Sequence, residues 1–383
     1  MEREKWIRRA AELVPMLRDR AAETEALRHI TKETVDALHA AELLRLVQPK
    51  RFGGLGYDFE LTFDIAAELG RGCGSTAWCY GIWSSHTWLA GMFSEQAQEA
   101  YWADSPQTLS STSFNPSRGT VTAVPGGYRV SGQWDFSSGC DAASWVLIIG
   151  NTPNGLMFLM LPRADYVIED TWFVSGLRGT GSKDIKIQDA FVPDYRTLLM
   201  QDMREAQTPG RQVHDSANYR IPLRSLLTFT LASPVLGMAQ GALEAFESYM
   251  CHAVSSRDGR RLAASSSVQM RLSESAAEVD TARLILHHDV QEIFARARQG
   301  DMPSLEERAR YRRDQVYMAK LCVQSVNRIF EASGGRGIHE SSAIQRFHRD
   351  IHAATHHVSL TWDPVAEQYG KVRLGIELDT LDF

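Results

Sequence analysis

The 383-residue sequence predicts an α+β, mostly α, fold in three parts: an N-terminal helical domain, a middle β-barrel or sandwich domain and a C-terminal four-helix bundle. Three observations predict it. Apolar residues recur at three- and four-residue spacing up to about residue 104. From 105 to 211 the runs turn short, alternating or β-branched and are punctuated by Gly and Pro. From Pro222, within a third domain at 212–383, the helical period returns in four long blocks whose loops carry Gly, Ser or Pro, the arithmetic of an antiparallel bundle.

The first domain, 1–104, opens on MEREKWIRRAAELVPMLRDR, which mixes charge with apolar residues and has neither the apolar core nor the cleavage site of a signal peptide. It reads as a surface helix of a cytoplasmic protein. ITKETVDALHAAELLRL follows, with Thr31 and Glu33 near its start. After the turn-rich QPKRFGGLGYD come two more helical stretches, DFELTFDIAAELGRG and STAWCYGIWSSHTWLAGMF. In the second domain, 105–211, the segments GTVTAVPGGYRVSGQWDFSSG, SWVLIIGN, GLMFLMLPR and DIKIQDAFVP read as strands. The third, 212–383, contains the blocks 223–253, 268–297, 305–333 and 344 to about 370, separated by loops such as SSRDGRRLAASSS and RQGDMPS.

A net charge of −6 with both signs spread throughout supplies no basic stripe for a phosphate backbone, so no nucleic acid is expected as a partner. No stretch approaches the roughly 20 apolar residues that cross a bilayer. The nearest, Leu226–Leu236, is interrupted by Ser and Pro, so no membrane is expected either. The five cysteines are odd in number, lack a CxxC pair and do not cluster with His. Neither a disulfide framework nor a metal site follows, and buried free thiols in a reducing compartment do.

Local motifs add a family. QPKRFGGLGYD resembles the P-x-x-x-G-G loop of acyl-CoA dehydrogenases, and GLRGTGSKDIKIQDAFVP resembles the second β-domain signature of that superfamily. The segments GSTAWCYGIWSSH, SGQWDFSSGCDAASW and QRFHRDIHAATHHVSLTWD are similar to its hydroxylase branch. That branch includes the oxygenase components of p-hydroxyphenylacetate and steroid-phenol hydroxylases and dibenzothiophene monooxygenase. The resemblance spans nearly the whole chain and implies an acyl-CoA dehydrogenase-like fold. Laying Arg349 and Asp350 on the dehydrogenase motif RDA-x-x-x-x-IYEGT puts Val358 at or beside the catalytic Glu, with no carboxylate between Asp350 and Asp363. Valine accepts no proton, which removes the usual route of α,β-dehydrogenation. A conventional acyl-CoA dehydrogenase-like oxidoreductase with FAD is the alternative reading.

The resemblance implies a two-component flavin-dependent monooxygenase. Reduced flavin arrives from a separate flavin reductase, reacts with O2 to give a C4a-hydroperoxide and hydroxylates a small aromatic or heteroaromatic substrate. It puts Phe136 beside the flavin ring and Ser138 near N5, where a hydroxyl serves as donor or acceptor. Ser137, on the other face if the segment is a strand, and Trp134 complete the candidate contacts of this run, although Trp134, like Trp145 and Trp172, equally suits packing. Ser113 falls where the superfamily lines the flavin and substrate pocket. His357 matches a histidine near the re-shaped base position and suits proton handling, with a surface histidine as the bland alternative. His86 shares a helical face with Trp83 and is placed to bind or deprotonate a phenolic substrate, the alternative being a satisfied core residue.

Gly334 and Gly335, in EASGGRGI, resemble the loop that touches a neighbouring subunit's flavin, and a homotetramer follows from that likeness; as a helix-to-helix turn they are ordinary C-cap glycines. The dehydrogenase R-x-x-F-G clamp on FAD is replaced by Ser255 and Asp258. Weakly held FMNH2 is therefore favoured over FADH2.

Overall fold

The computed structural model describes residues 2–255 and 259–378. Five helices open the chain: α1 (Glu2–Leu27), α2 (Lys32–Ala40), α3 (Glu60–Gly70), α4 (Gly74–Ala90) and α5 (Glu95–Trp102). Thr31 starts α2, its hydroxyl accepting the Thr34 amide at 3.3 Å, which satisfies one of the first-turn donors. Helix α4 is buried on nearly every face, Ile82 being its single partly exposed residue. Such a helix belongs at the junction of domains rather than on a surface.

Eight strands follow: β1 (Ser110–Ser113), β2 (Gly119–Val124), β3 (Gly127–Ser137), β4 (Trp145–Thr152), β5 (Gly155–Pro162), β6 (Val167–Glu169), β7 (Lys183–Pro193) and β8 (Thr197–Leu199). They form two four-stranded sheets, β1-β4-β5-β8 and β2-β3-β7-β6, in which only the β1–β4 pair is parallel. Val130, Trp134, Val146, Ile148, Leu159, Ile185 and Ile187 meet between the sheets, so the middle domain is a sandwich. Each such aliphatic side chain contributes roughly 1.5–3 kcal/mol on leaving water.

Three short helices, α6 (Met200–Arg204), α7 (Gly210–Val213) and α8 (Leu223–Leu227), lead into the bundle of α9 (Phe229–His252), α10 (Ser266–Gln299), α11 (Leu305–Ala332), α12 (Ala343–Thr355) and α13 (Trp362–Arg373). Helix α11 begins with a capping box between Ser304 and Glu307. The fourth helical block of the sequence is broken here: α12 ends at Thr355, and a 3-10 turn at Val358–Leu360 precedes α13.

The apolar stretch around α9 also exceeds expectation. Residues Leu223–His252 are long and apolar enough to cross a membrane, yet 89% of their most apolar window is buried inside the protein, where α9 is the central core helix. A Cβ at Gly237 would lie 2.1 Å from the Ala67 carbonyl, so glycine is what lets α9 and α3 touch backbone to backbone. Four cysteines are buried and free, whereas Cys251 is exposed on the last turn of α9, contrary to the expectation of buried thiols throughout.

Candidate active site

One broad face of α4 is committed to the β sandwich. The indole N–H of Trp78 donates to Ser138 Oγ at 3.3 Å, that of Trp83 to the Gly139 carbonyl at 3.2 Å, and His86 Nδ1 to the Ser110 carbonyl at 2.7 Å. A carbonyl has no hydrogen to give, so Nδ1 carries it and Nε2 is left as the unprotonated nitrogen. Burial pushes His86 down to about 4 against the opposing pull of the Ser110 bond, so the ring is neutral at pH 7. His86 therefore presents an acceptor. Full deprotonation of a phenol of pKa about 10 by a base of pKa 4 would be uphill by about 8 kcal/mol, which leaves hydrogen-bond acceptance as its chemistry.

Trp83 departs from the role of a substrate wall. Its ring is 1% exposed and lies under the corner that follows Ser138, where a Cβ at Gly139 would come within 2.6 Å of its nitrogen. Gly139 has φ +70°, and its amide binds the Thr180 carbonyl at 2.9 Å. The corner is distorted further back: strand register shifts between Trp134 and Ser137, and Phe136 sits at φ +64°. For a bulky residue that conformation costs of order 1–3 kcal/mol. It turns the Phe136 ring outward, 63% exposed and edge-on to Trp172 at 6.2 Å between centroids.

The same distortion defeats simple alternation. Ser137 and Ser138 are both buried instead of facing opposite sides. Ser137 Oγ has no hydrogen-bond partner among the described residues. Ser138 Oγ lies 2.7 Å from Ser182 Oγ, which lies 2.7 Å from Thr180 Oγ1. Trp134 points the other way, into the sandwich, with its N–H on the Ile149 carbonyl at 2.9 Å. It is a packing residue of the sandwich, because the inward face of β3 at this position belongs to the core.

His357 occupies the break between α12 and α13 and makes it. Its Nδ1 accepts the Ser359 amide at 3.1 Å, capping the 3-10 turn, so a neutral ring carries its hydrogen on Nε2. The ring meets Trp78 edge-on with centroids 5.8 Å apart. Trp78 thus joins His357 to Ser138 across 219 positions of chain separation. Burial first, then the neighbouring cations Arg224 and Arg312, push His357 down to about 4. The His357 side chain is partly accessible. His352 is engaged elsewhere, with Asn327 at 2.7 Å, and His356 is exposed. Val358, which the motif resemblance lays at or beside the dehydrogenase carboxylate, is 76% exposed.

Four residues beyond the sequence candidates complete the arrangement. Trp78 bridges the two sides, and Thr180 and Ser182 back Ser138. Asp350 fixes the loop that carries them: its carboxylate accepts the Leu177 amide at 2.7 Å, while Arg349 holds the Ser175 carbonyl at 2.7 Å and pairs with Glu25. Burial raises Asp350 to about 6 despite the Leu177 bond, which works in the opposite direction. The signals were legible in part, since Thr180 and Ser182 lie inside GLRGTGSKDIKIQDAFVP, and Arg349 and Asp350 form the RD pair.

Other candidates stand apart. Ser113 is buried at the end of β1, its hydroxyl 3.5 Å from the Asn115 amide in a local turn. Gly334 and Gly335 are exposed in a turn after α11, and apart from their chain neighbours nothing among the described residues lies within 4 Å of a Cβ built on either. Asp258 lies outside the described residues; Ser255 lies in a small loop closed by a 2.8 Å bond from its amide to the Arg260 carbonyl.

The corner fits a flavin ring. An outward aromatic at a strained backbone position, an orphaned buried hydroxyl at Ser137 and a hydroxyl with acceptor capacity at Ser138 are joined through Trp78 to His357, which two cations, Arg224 and Arg312, neighbour. Such a setting matches a planar, amphiphilic, anionic group. Residues 4–105 match the acyl-CoA dehydrogenase N-terminal domain, and residues 229–362 match the acyl-CoA dehydrogenase C-terminal domain. The flavin-dependent monooxygenase oxygenase subunit HsaA of Mycobacterium tuberculosis is 36% identical over 91% of this chain and 89% of its own. The FADH2-dependent resorcinol hydroxylase oxygenase component of a Rhizobium species is 34% identical over 96% of this chain and 94% of its own. The crystal structure of 3-HSA hydroxylase from Rhodococcus sp. RHA1 superposes with a TM-score of 0.93 at 33% identity, covering 98% of both chains. The chain belongs to the acyl-CoA dehydrogenase superfamily, within its branch of flavin-dependent monooxygenase oxygenase components.

Proposed function

We propose that the chain hydroxylates a small phenolic or heteroaromatic substrate with O2 and a reduced flavin delivered by a separate flavin reductase. The observation that carries it is the joining of Ser138 and His357 through Trp78 on the same helix that holds His86 with its Nε2 free to accept. A reduced flavin supplies, when bound, the electrons and, with O2, the electrophilic oxygen. Phe136 flanks its ring, Ser138 holds the N5 hydrogen, and His357 offers an Nε2–H donor from the opposite wall. His86 accepts from the substrate hydroxyl, orienting the phenol and raising its ring electron density. Buried Trp78, Trp83 and Trp88 around α4 exclude bulk water from behind the site.

FMNH2 is favoured over FADH2, since Ser255 and Asp258 replace the adenine-side clamp; Gly334 and Gly335 reach the flavin of a neighbouring subunit in a cytoplasmic homotetramer. Purified protein is supplied with a flavin reductase, NADH, either FMN or FAD, and a panel of phenols and indoles under 18O2. Label in the product with one of the flavins supports the proposal. NADH oxidation that yields only hydrogen peroxide with every substrate, or anaerobic bleaching of a bound flavin by an acyl-CoA, overturns it.

A further inference from the structure

Three hydroxyl groups behind the corner determine one another's hydrogens. Thr180 Oγ1 lies 2.9 Å from the Leu177 carbonyl, Ser182 Oγ lies 2.7 Å from Thr180 Oγ1, and Ser138 Oγ lies 2.7 Å from Ser182 Oγ. Two oxygens at such separations need a hydrogen between them. The carbonyl has none, so Thr180 supplies the first. Its single hydrogen is then spent, and Ser182 supplies the second. Ser182 is spent in turn, and Ser138 supplies the third. All three side chains are buried, Thr180 to 1%, Ser182 to 4% and Ser138 to 7% exposure, so water does not relax this order. The Trp78 N–H, 3.3 Å away, takes one lone pair of Ser138. Its hydroxyl keeps one remaining lone pair and no hydrogen to offer.

We propose that Ser182 and Thr180 act as positioning residues that lock Ser138 as a pure acceptor and so make the site select reduced over oxidised flavin. This rests on the placement of Ser138 at flavin N5 proposed above. N5 carries a hydrogen in the reduced ring and only a lone pair in the oxidised one. An acceptor-only Ser138 bonds the first and opposes the second, so spent flavin is released by the polarity of a hydroxyl chain rather than by a change of shape.

Anaerobic titration of the full-length protein with oxidised and dithionite-reduced FMN tests it, with the ratio of the two Kd values as the readout. Ser182→Ala deprives Ser138 of its acceptor, and Thr180→Val lets Ser182 turn its hydrogen toward Ser138. Each frees the Ser138 hydrogen, and each is expected to cut the preference for reduced FMN about tenfold, close to one hydrogen bond. Ser182→Thr, which keeps the hydroxyl, restores the preference. Kd values that weaken in parallel for both redox forms, with the ratio unchanged in folded Ser182→Ala and Thr180→Val, overturn the relay while leaving the oxygenase reading intact. Wild-type protein that binds neither form overturns both.

Discussion

Single residues here do work that their types alone do not announce. His86 is held neutral by burial, with pKa about 4, so its acceptor state does not titrate near neutrality. Replacing it by Ala is expected to lower kcat/KM for a phenol by about 10²-fold. The remaining wild-type pH profile between 5 and 8 should contain no step belonging to this ring, and a step abolished by the substitution would contradict its assignment. Asp350 is the converse case, a buried carboxyl raised to about 6. Its folded state holds a proton that the unfolded chain has released between its ordinary value near 4 and 6, so its contribution favours the fold at low pH and is lost as pH rises through 6. Asp350→Asn keeps the acceptor for the Leu177 amide and removes the titration. Relative to wild type it is expected to gain roughly 1.4 kcal/mol per pH unit from about 4 to 6 and then level off, as checked by urea unfolding at stepped pH.

Among elements, the gap between α12 and α13 decides most. Helical periodicity runs through Ile344 to Gly370, yet the chain leaves the helix because the His357 imidazole takes the Ser359 amide and the Arg312 guanidinium takes the Ser359 carbonyl at 2.8 Å. Local side-chain competition for backbone groups outweighs continued helix at that point. His357→Ala should cost about 1 kcal/mol in chemical denaturation through loss of the cap, and His357→Asn, which retains an acceptor, should recover most of it. Equal losses in both variants would assign the cost to the aromatic contact with Trp78 instead. The strand β3 tells a similar story: its register shifts once between Val130 and Gly132 and again between Trp134 and Ser137, where the bulge with Phe136 at positive φ turns two neighbouring serines inward together.

At the scale of the molecule, α4 is the beam on which the domains meet, its indoles and imidazole bonding the sandwich while its remaining faces enter two apolar cores. Gly334 and Gly335 are exposed on the surface of the single chain, and the proposed part they have in the site is toward a second copy. Light scattering is expected to give four times the 42.9 kDa chain mass. A monomer that still hydroxylates would remove both glycines from the flavin contacts.

Sequence alone determined the three-part architecture and the family, because helical and strand periodicities persist through long segments and because motifs such as the RD pair and SGQWDFSSG are local. It also singled out Ser138, His86 and His357, though through resemblance rather than spacing. What only the tertiary structure decided was direction and company. Trp134 packs the sandwich and Trp83 underpins a corner, because a ring's neighbours depend on which sheet or turn lies opposite it. Trp78, Thr180 and Ser182 became part of the site only once contacts between residues far apart in the chain closed. The direction of a hydrogen bond, on which the acceptor states of His86 and Ser138 depend, is fixed by partners on other elements, and no local pattern encodes it.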